Sequence, residues 1–215
     1  MAGEYRVLYT NGIQPDAVEH ALEATLVTFD AISAQDEQLE TPIITRDLMG
    51  IAAAIHPYNT GRERDRILTI AQIGEIPDRE TYKKFALKSV SRAFDQCARG
   101  LETDAQPMER LAWLADNALY RASSASVNGL HAGFAGGWPH HSRLVAVSFA
   151  SSLAESMRLP NSSDKEHHLF PDDWATERLS WLNGGRDAGD NHAHLEAFRE
   201  RYRFIFDLIA EPAVS

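Results

Sequence analysis

A chain of 215 residues with 44% hydrophobic and 24% charged residues lies in the ordinary globular range, which excludes wholesale disorder. Its net charge of −10 repels phosphate backbones unless a local basic patch overrides the total, so nucleic acid is not an expected partner. The basic residues of Arg62-Glu-Arg-Asp-Arg66 and Lys83-Lys84 lie among acids and read as a solvated loop or helix face. The single cysteine, Cys97, excludes an internal disulfide, and the opening Met-Ala-Gly-Glu-Tyr has neither a basic nor an apolar targeting region. No apolar run approaches the ~20 residues that span a bilayer. A cytoplasmic, acidic protein without membrane insertion is the expectation.

In chain order, residues 4–10 alternate polar and apolar side chains before Asn11-Gly12 and predict a first strand ending in a turn. Pro15 opens a helix whose stripe is Val18, Ala21, Leu22, Leu26, Phe29 and Ile32. Residues 33–40 read as a polar connection, and Thr41-Pro-Ile-Ile-Thr45 as a short edge strand. The apolar runs 48–55 and 66–73 flank a turn-rich segment, Pro57 to Asp65, and predict a hairpin with a long loop. Asp78 then caps a long helix with Tyr82, Phe85, Ala86, Val90, Ala93, Phe94 and Cys97 on its apolar side, and Gly100 stops it. Cys97 on that face is expected to be a buried, inert thiol.

Pro107 opens another helix bearing Leu111, Leu114, Ala115, Ala118 and Leu119. Residues 122–137 are rich in Ser, Ala and Gly and predict a long ordered loop without regular structure. For 142–158 two readings stand: a strand over 143–149 followed by a short helix, or one helix throughout. Residues 161–164 resemble a linker, 172–183 a helix, and Asn191 caps a final helix carrying Leu195, Phe198, Tyr202, Ile205, Phe206 and Ile209. The fold class expected is α+β: a small, mainly antiparallel sheet with helices packed on it over residues 1–160, plus a C-terminal helical extension over 161–215.

Two groups of residues could carry chemistry. Of the nine histidines, His167 and His168 follow Glu166, and His192 and His194 precede Glu196. Imidazole and carboxylate suit zinc, iron, nickel or copper, and a spacing of four puts His192 and Glu196 on one helix face. No established metal-site spacing is present, so the alternative is solvated histidines in polar loops. The second group is Phe134, Gly136, Gly137, Trp138, His140 and His141. Glycines admit a ligand close to the backbone, Trp138 offers a flat apolar surface, and either histidine could donate a hydrogen bond or serve as an axial ligand. The alternative is a tight turn. The expected geometry is a bend at Gly136 and Gly137 bordering a cavity roofed by the first hairpin and the long helix. No phosphate-binding loop, dinucleotide fingerprint or nucleophile elbow is present, and Ser148, Ser151 and Ser152 have no motif to anchor a hydrolytic triad.

Phe134-Ala-Gly-Gly-Trp-Pro139 followed by Leu144-Val-Ala-Val147, together with the helix over 82–92, resembles the GlcG/HbpS-like family over about residues 15–157. In that family a Phe-x-Gly-Gly-x-Pro loop precedes the last strand, and members include haem-binding and corrinoid-associated proteins. The family's Asp-x-Gly-Gly hairpin turn is replaced here by Tyr58-Asn-Thr-Gly61, and the chain after Pro160 has no counterpart. The resemblance implies a haem-like cofactor and a homo-oligomer.

The leading expectation is a protein that binds a small molecule or cofactor, haem or a divalent metal among the possibilities, in an oligomer. Its rivals are a metal-dependent enzyme using the His-rich C-terminal region and a non-catalytic subunit of a larger assembly.

Overall fold

The structure, a computed structural model, describes residues 4–36, 48–56, 62–99, 122–136, 139–157 and 200–209. Strand β1 (Tyr5–Thr10) leads into helix α1 (Pro15–Asp36). Strands β2 (Gly50–Ile55) and β3 (Ile67–Ile73) follow, with a single helical turn α2 (Glu63–Arg66) before β3. Next come helix α3 (Arg79–Arg99), strands β4 (Ala122–Val127) and β5 (Leu130–Ala135), helix α4 (Pro139–Ser156) and the short helix α5 (Phe204–Leu208). The strands form one five-stranded sheet in the order β1-β3-β2-β5-β4, with every pairing antiparallel. The protein is α+β, as its sequence pattern predicts.

Helices cover both faces of the sheet. Ile51, Ala53 and Ile55 of β2 point toward α3, where they join Phe85, Val90, Phe94 and the C-terminal residues Tyr202, Ile205 and Ile209. Ala52 and Ala54 point the other way, into a core with Leu22, Leu26 and Phe29 of α1 and Phe149 and Leu153 of α4. A strand buried on both faces needs no polar alternation, which is why β2 reads as an unbroken apolar run.

Asp78 begins α3 by the predicted cap: its Oδ1 accepts the Thr81 amide at 2.8 Å and its Oδ2 the Thr81 hydroxyl at 2.7 Å. These bonds hold the Asp78 carboxyl below its ordinary value. A depressed folded-state value means that the cap stabilises above the ordinary aspartate range and is lost as pH falls through the lower folded one. Asp78→Ala should therefore lower the melting temperature at about pH 7, and the gap from the parent protein should narrow as pH falls below the ordinary aspartate range. Thermal unfolding followed by circular dichroism across that range checks this.

Two expectations are corrected, and of the two readings of 142–158 one is observed. Residues 122–137 are not a loop without regular structure: they hold the β4–β5 hairpin, joined by Asn128 (φ 50°) and Gly129 (φ 78°). Two successive positive φ values are what a two-residue hairpin turn matched to strand twist requires, and Asn-Gly supplies them with little strain. The strand over 143–149 is absent as well; the rival reading holds, and one helix runs through Pro139–Ser156 with Val145, Ala146, Phe149, Ala150, Leu153 and Ala154 buried. Finally, α1 continues to Asp36, through part of the stretch read as a connection, with Ser33 turned inward and fully buried.

The edge strand at 41–45 and the helices at 107–119 and 172–183 lie outside the described residues. Of the final helix, residues 200–209 are described, and it is not continuous there: Glu200 and Arg201 are helical, Tyr202 and Arg203 form a turn, and a separate short helix spans Phe204–Leu208.

Candidate functional site

The glycine bend is filled by protein at its described residues. Phe134 is fully buried on the α1/α4 side of the sheet. A Cβ placed on Gly136 (φ 140°) would run into the Met49 carbonyl and stand 2.5 Å from the Gly50 Cα, so this glycine serves the close approach of β5's end to the start of β2. The Ser142 hydroxyl donates to the Gly136 carbonyl at 2.6 Å and ties the bend to α4. His141 is fully buried with its ring edge-on to Phe29, centroids 5.3 Å apart. His140 lies in the first turn of α4. Gly137 and Trp138 are outside the described residues, as are His167, His168, His192, His194 and Glu196, so the metal-dependent reading rests wholly on residues not described. Among the described residues no three His, Cys, Asp or Glu side chains are placed to share a metal ion.

A line of polar side chains on α3 went unread in the sequence. Ser89, Arg92 and Gln96 recur at intervals of three and four and are buried over the β4–β5 hairpin. The Arg92 Cβ lies 3.1 Å from where a Gly133 Cβ would stand, and the Ser124 hydroxyl donates to Gln96 Oε1 at 2.9 Å. Nearby, the buried Arg66 lies over the Phe94 ring at 5.4 Å and donates to Cys97 Sγ at 3.4 Å. Burial pushes the Cys97 thiol up to about 12, with Arg66 pulling in the opposite direction. The reactive species is the thiolate, so the native protein should resist iodoacetamide at about pH 8 while the urea-unfolded chain is alkylated. Intact-mass spectrometry before and after unfolding tests this.

One open space among the described residues lies beside α3. A groove of about 360 Å³ runs between α3 and the C-terminal segment. Its α3 wall is Glu80, Lys83, Lys84 and Leu87, spaced three, four and seven residues from Glu80 and therefore on one helix face. Its other wall is Glu200, Arg203 and Phe206. The two carboxylates each sit beside a cation of the same wall, Glu80 3.9 Å from Lys83 and Glu200 3.8 Å from Arg203. The lining thus carries three cations, Lys83, Lys84 and Arg203, and two carboxylates, Glu80 and Glu200, in a protein of net charge −10. Leu87 and the half-buried Phe206 supply apolar surface, with the Lys83 ammonium 5.9 Å from the Phe206 ring centroid.

The second wall is held by its neighbours. Tyr202, Ile205 and Ile209 enter the core beside Phe94, the Tyr202 and Phe94 rings lying 6.2 Å apart. Arg201 donates through Nε and Nη2 to Glu63 Oε1 at 3.1 and 2.8 Å.

Sequence reasoning set Lys83-Lys84 aside as solvated charge and placed Phe206 on the buried stripe with Ile205. The signal it lacked was the docking of residues 200–209 on α3, which no local pattern encodes.

What fold and groove define together is an α+β protein with an antiparallel sheet sandwiched between helices and an open, cation-rimmed recess on one helical layer. No described helix is long and apolar enough to cross a membrane. No family model, curated protein or solved structure matches the chain.

Proposed function

We propose that this protein binds a small molecule, and that its site is the groove between α3 and residues 200–209. The single observation that carries the reading is a recess of about 360 Å³ that joins an apolar surface, Leu87 and Phe206, to the cations Lys83, Lys84 and Arg203. That volume falls within the range of small-ligand sites, which combine apolar walls with a few placed polar groups. The ligand class that fits is an organic anion with a flat apolar body: its ring stacks against Phe206 while its carboxylate, sulfonate or phosphate meets the rim. Because the chain as a whole is anionic, attraction has to act at short range, which favours a ligand small enough to seat its charge within the groove.

Anilinonaphthalene sulfonate, an aromatic sulfonate, is a suitable probe. Fluorescence titration should show saturable binding to the native protein, and Lys83→Gln combined with Arg203→Gln should weaken it about tenfold while unfolding remains cooperative. Binding that fails to saturate, or that survives both substitutions unchanged, would overturn the assignment.

A further inference from the structure

We infer that occupation of the groove and docking of residues 200–209 form one linked equilibrium, with Glu63 and Arg201 as its positioning pair. The inference rests on the groove being the ligand site and adds how that site is assembled.

The groove is composite. Leu87, Lys83 and Lys84 come from α3, whereas Arg203 and Phe206 come from the C-terminal segment. A ligand that spans both walls meets its complete set of partners only when the segment is docked, so it stabilises the docked form. Linkage makes the effect reciprocal: a change that lowers the docked population lowers apparent affinity by the same factor.

A short polar tie on the segment is the pair between Arg201 and Glu63, residues 138 positions apart in the chain. The guanidinium sits against the carboxylate with side-chain exposures of 20% and 15%, sheltered enough for the contact to outweigh an exposed ion pair. Neither residue lines the groove. Glu63 belongs to α2, just before β3. The pair therefore connects the segment to the β2–β3 hairpin and acts on a ligand only by setting where Arg203 and Phe206 stand.

The test uses the full chain and anilinonaphthalene sulfonate. Glu63→Gln and Arg201→Gln should each weaken probe binding about threefold to tenfold, and the charge swap Glu63→Arg with Arg201→Glu should recover part of the loss. In the unsubstituted protein, saturating probe should slow tryptic cleavage after Arg201 and Arg203, identified by peptide mass. A Glu63→Gln variant that binds as tightly as the parent, or tryptic cleavage at those arginines that the probe leaves unchanged, would overturn the coupling while the groove assignment stands. Absence of saturable binding in the parent protein would overturn both. Should either single variant fail to fold, the protease measurement on the parent decides.

Discussion

Replacing Gly133 with alanine is expected to lower the unfolding free energy by about 3 kcal/mol, the upper end of what an overpacked interior costs. Gly133 stands on β5 at the point where α3 crosses the sheet. A Cβ there would overlap the Ser89 carbonyl oxygen and come within 2.9 Å of the Ala93 amide nitrogen. Both obstacles are backbone atoms of an interior helix, so no side-chain rotation relieves them. The helix itself would have to lift, and Phe85, Val90 and Phe94 are packed beneath it. Urea unfolding measures the change, and a midpoint equal to that of the parent would mean that α3 and β5 are not in this contact.

Phe134→Ala should have an effect of similar size or larger, about 3–5 kcal/mol, the usual result of removing a fully buried aromatic ring. The ring lies on the α1/α4 face, and its Cζ reaches to 2.5 Å from the position of a Gly50 Cβ, so it occupies the space that Gly50 leaves open. The two outcomes separate the packing role from the ligand contact that the sequence suggested. A core ring lost from the variant costs stability and leaves probe affinity unchanged. A stable variant with diminished probe affinity would place Phe134 at the ligand and move the site back to the glycine bend.

The first half of the sheet was legible because its signals are local. Residues 50–55 and 67–73 are apolar runs of strand length, and Asp78 announces α3 by a cap that needs only three residues of context. The second hairpin was hidden by its composition. Ala122-Ser-Ser-Ala-Ser-Val127 and Leu130-His-Ala-Gly-Phe-Ala135 are poor in the β-branched and aromatic residues that mark strands, and Gly133 at least is small because α3 presses on it. That demand is tertiary, although Asn128-Gly129 was a turn signal that could have been weighed more heavily.

Helix α4 was left between two readings for the opposite reason. Leu144-Val-Ala-Val147 looks like a strand over four residues, and only the longer recurrence at 145, 146, 149, 150, 153 and 154 reveals a helical face. The groove was illegible altogether. Lys83 and Phe206 lie far apart in the chain and meet through the docking of residues 200–209, and a lysine beside an acid on a helix looks the same in sequence whether it rims a recess or faces bulk water.

The proposed groove lies away from the bend that first drew attention. At Gly136 a side chain's worth of room is already taken by Met49 and Gly50, and His141 packs against Phe29, so the described part of the bend works as a joint between sheet and helix. Between α3 and the C-terminal segment, by contrast, cations and apolar surface face an open volume.

Amide chemical-shift mapping with isotopically labelled protein and anilinonaphthalene sulfonate tests the central claim most directly. The account predicts that the largest shifts cluster at Lys83, Lys84, Leu87, Arg203 and Phe206 and titrate together to saturation. Shifts centred on Phe134, Gly136 and His141, with the α3 groove unmoved, would contradict it.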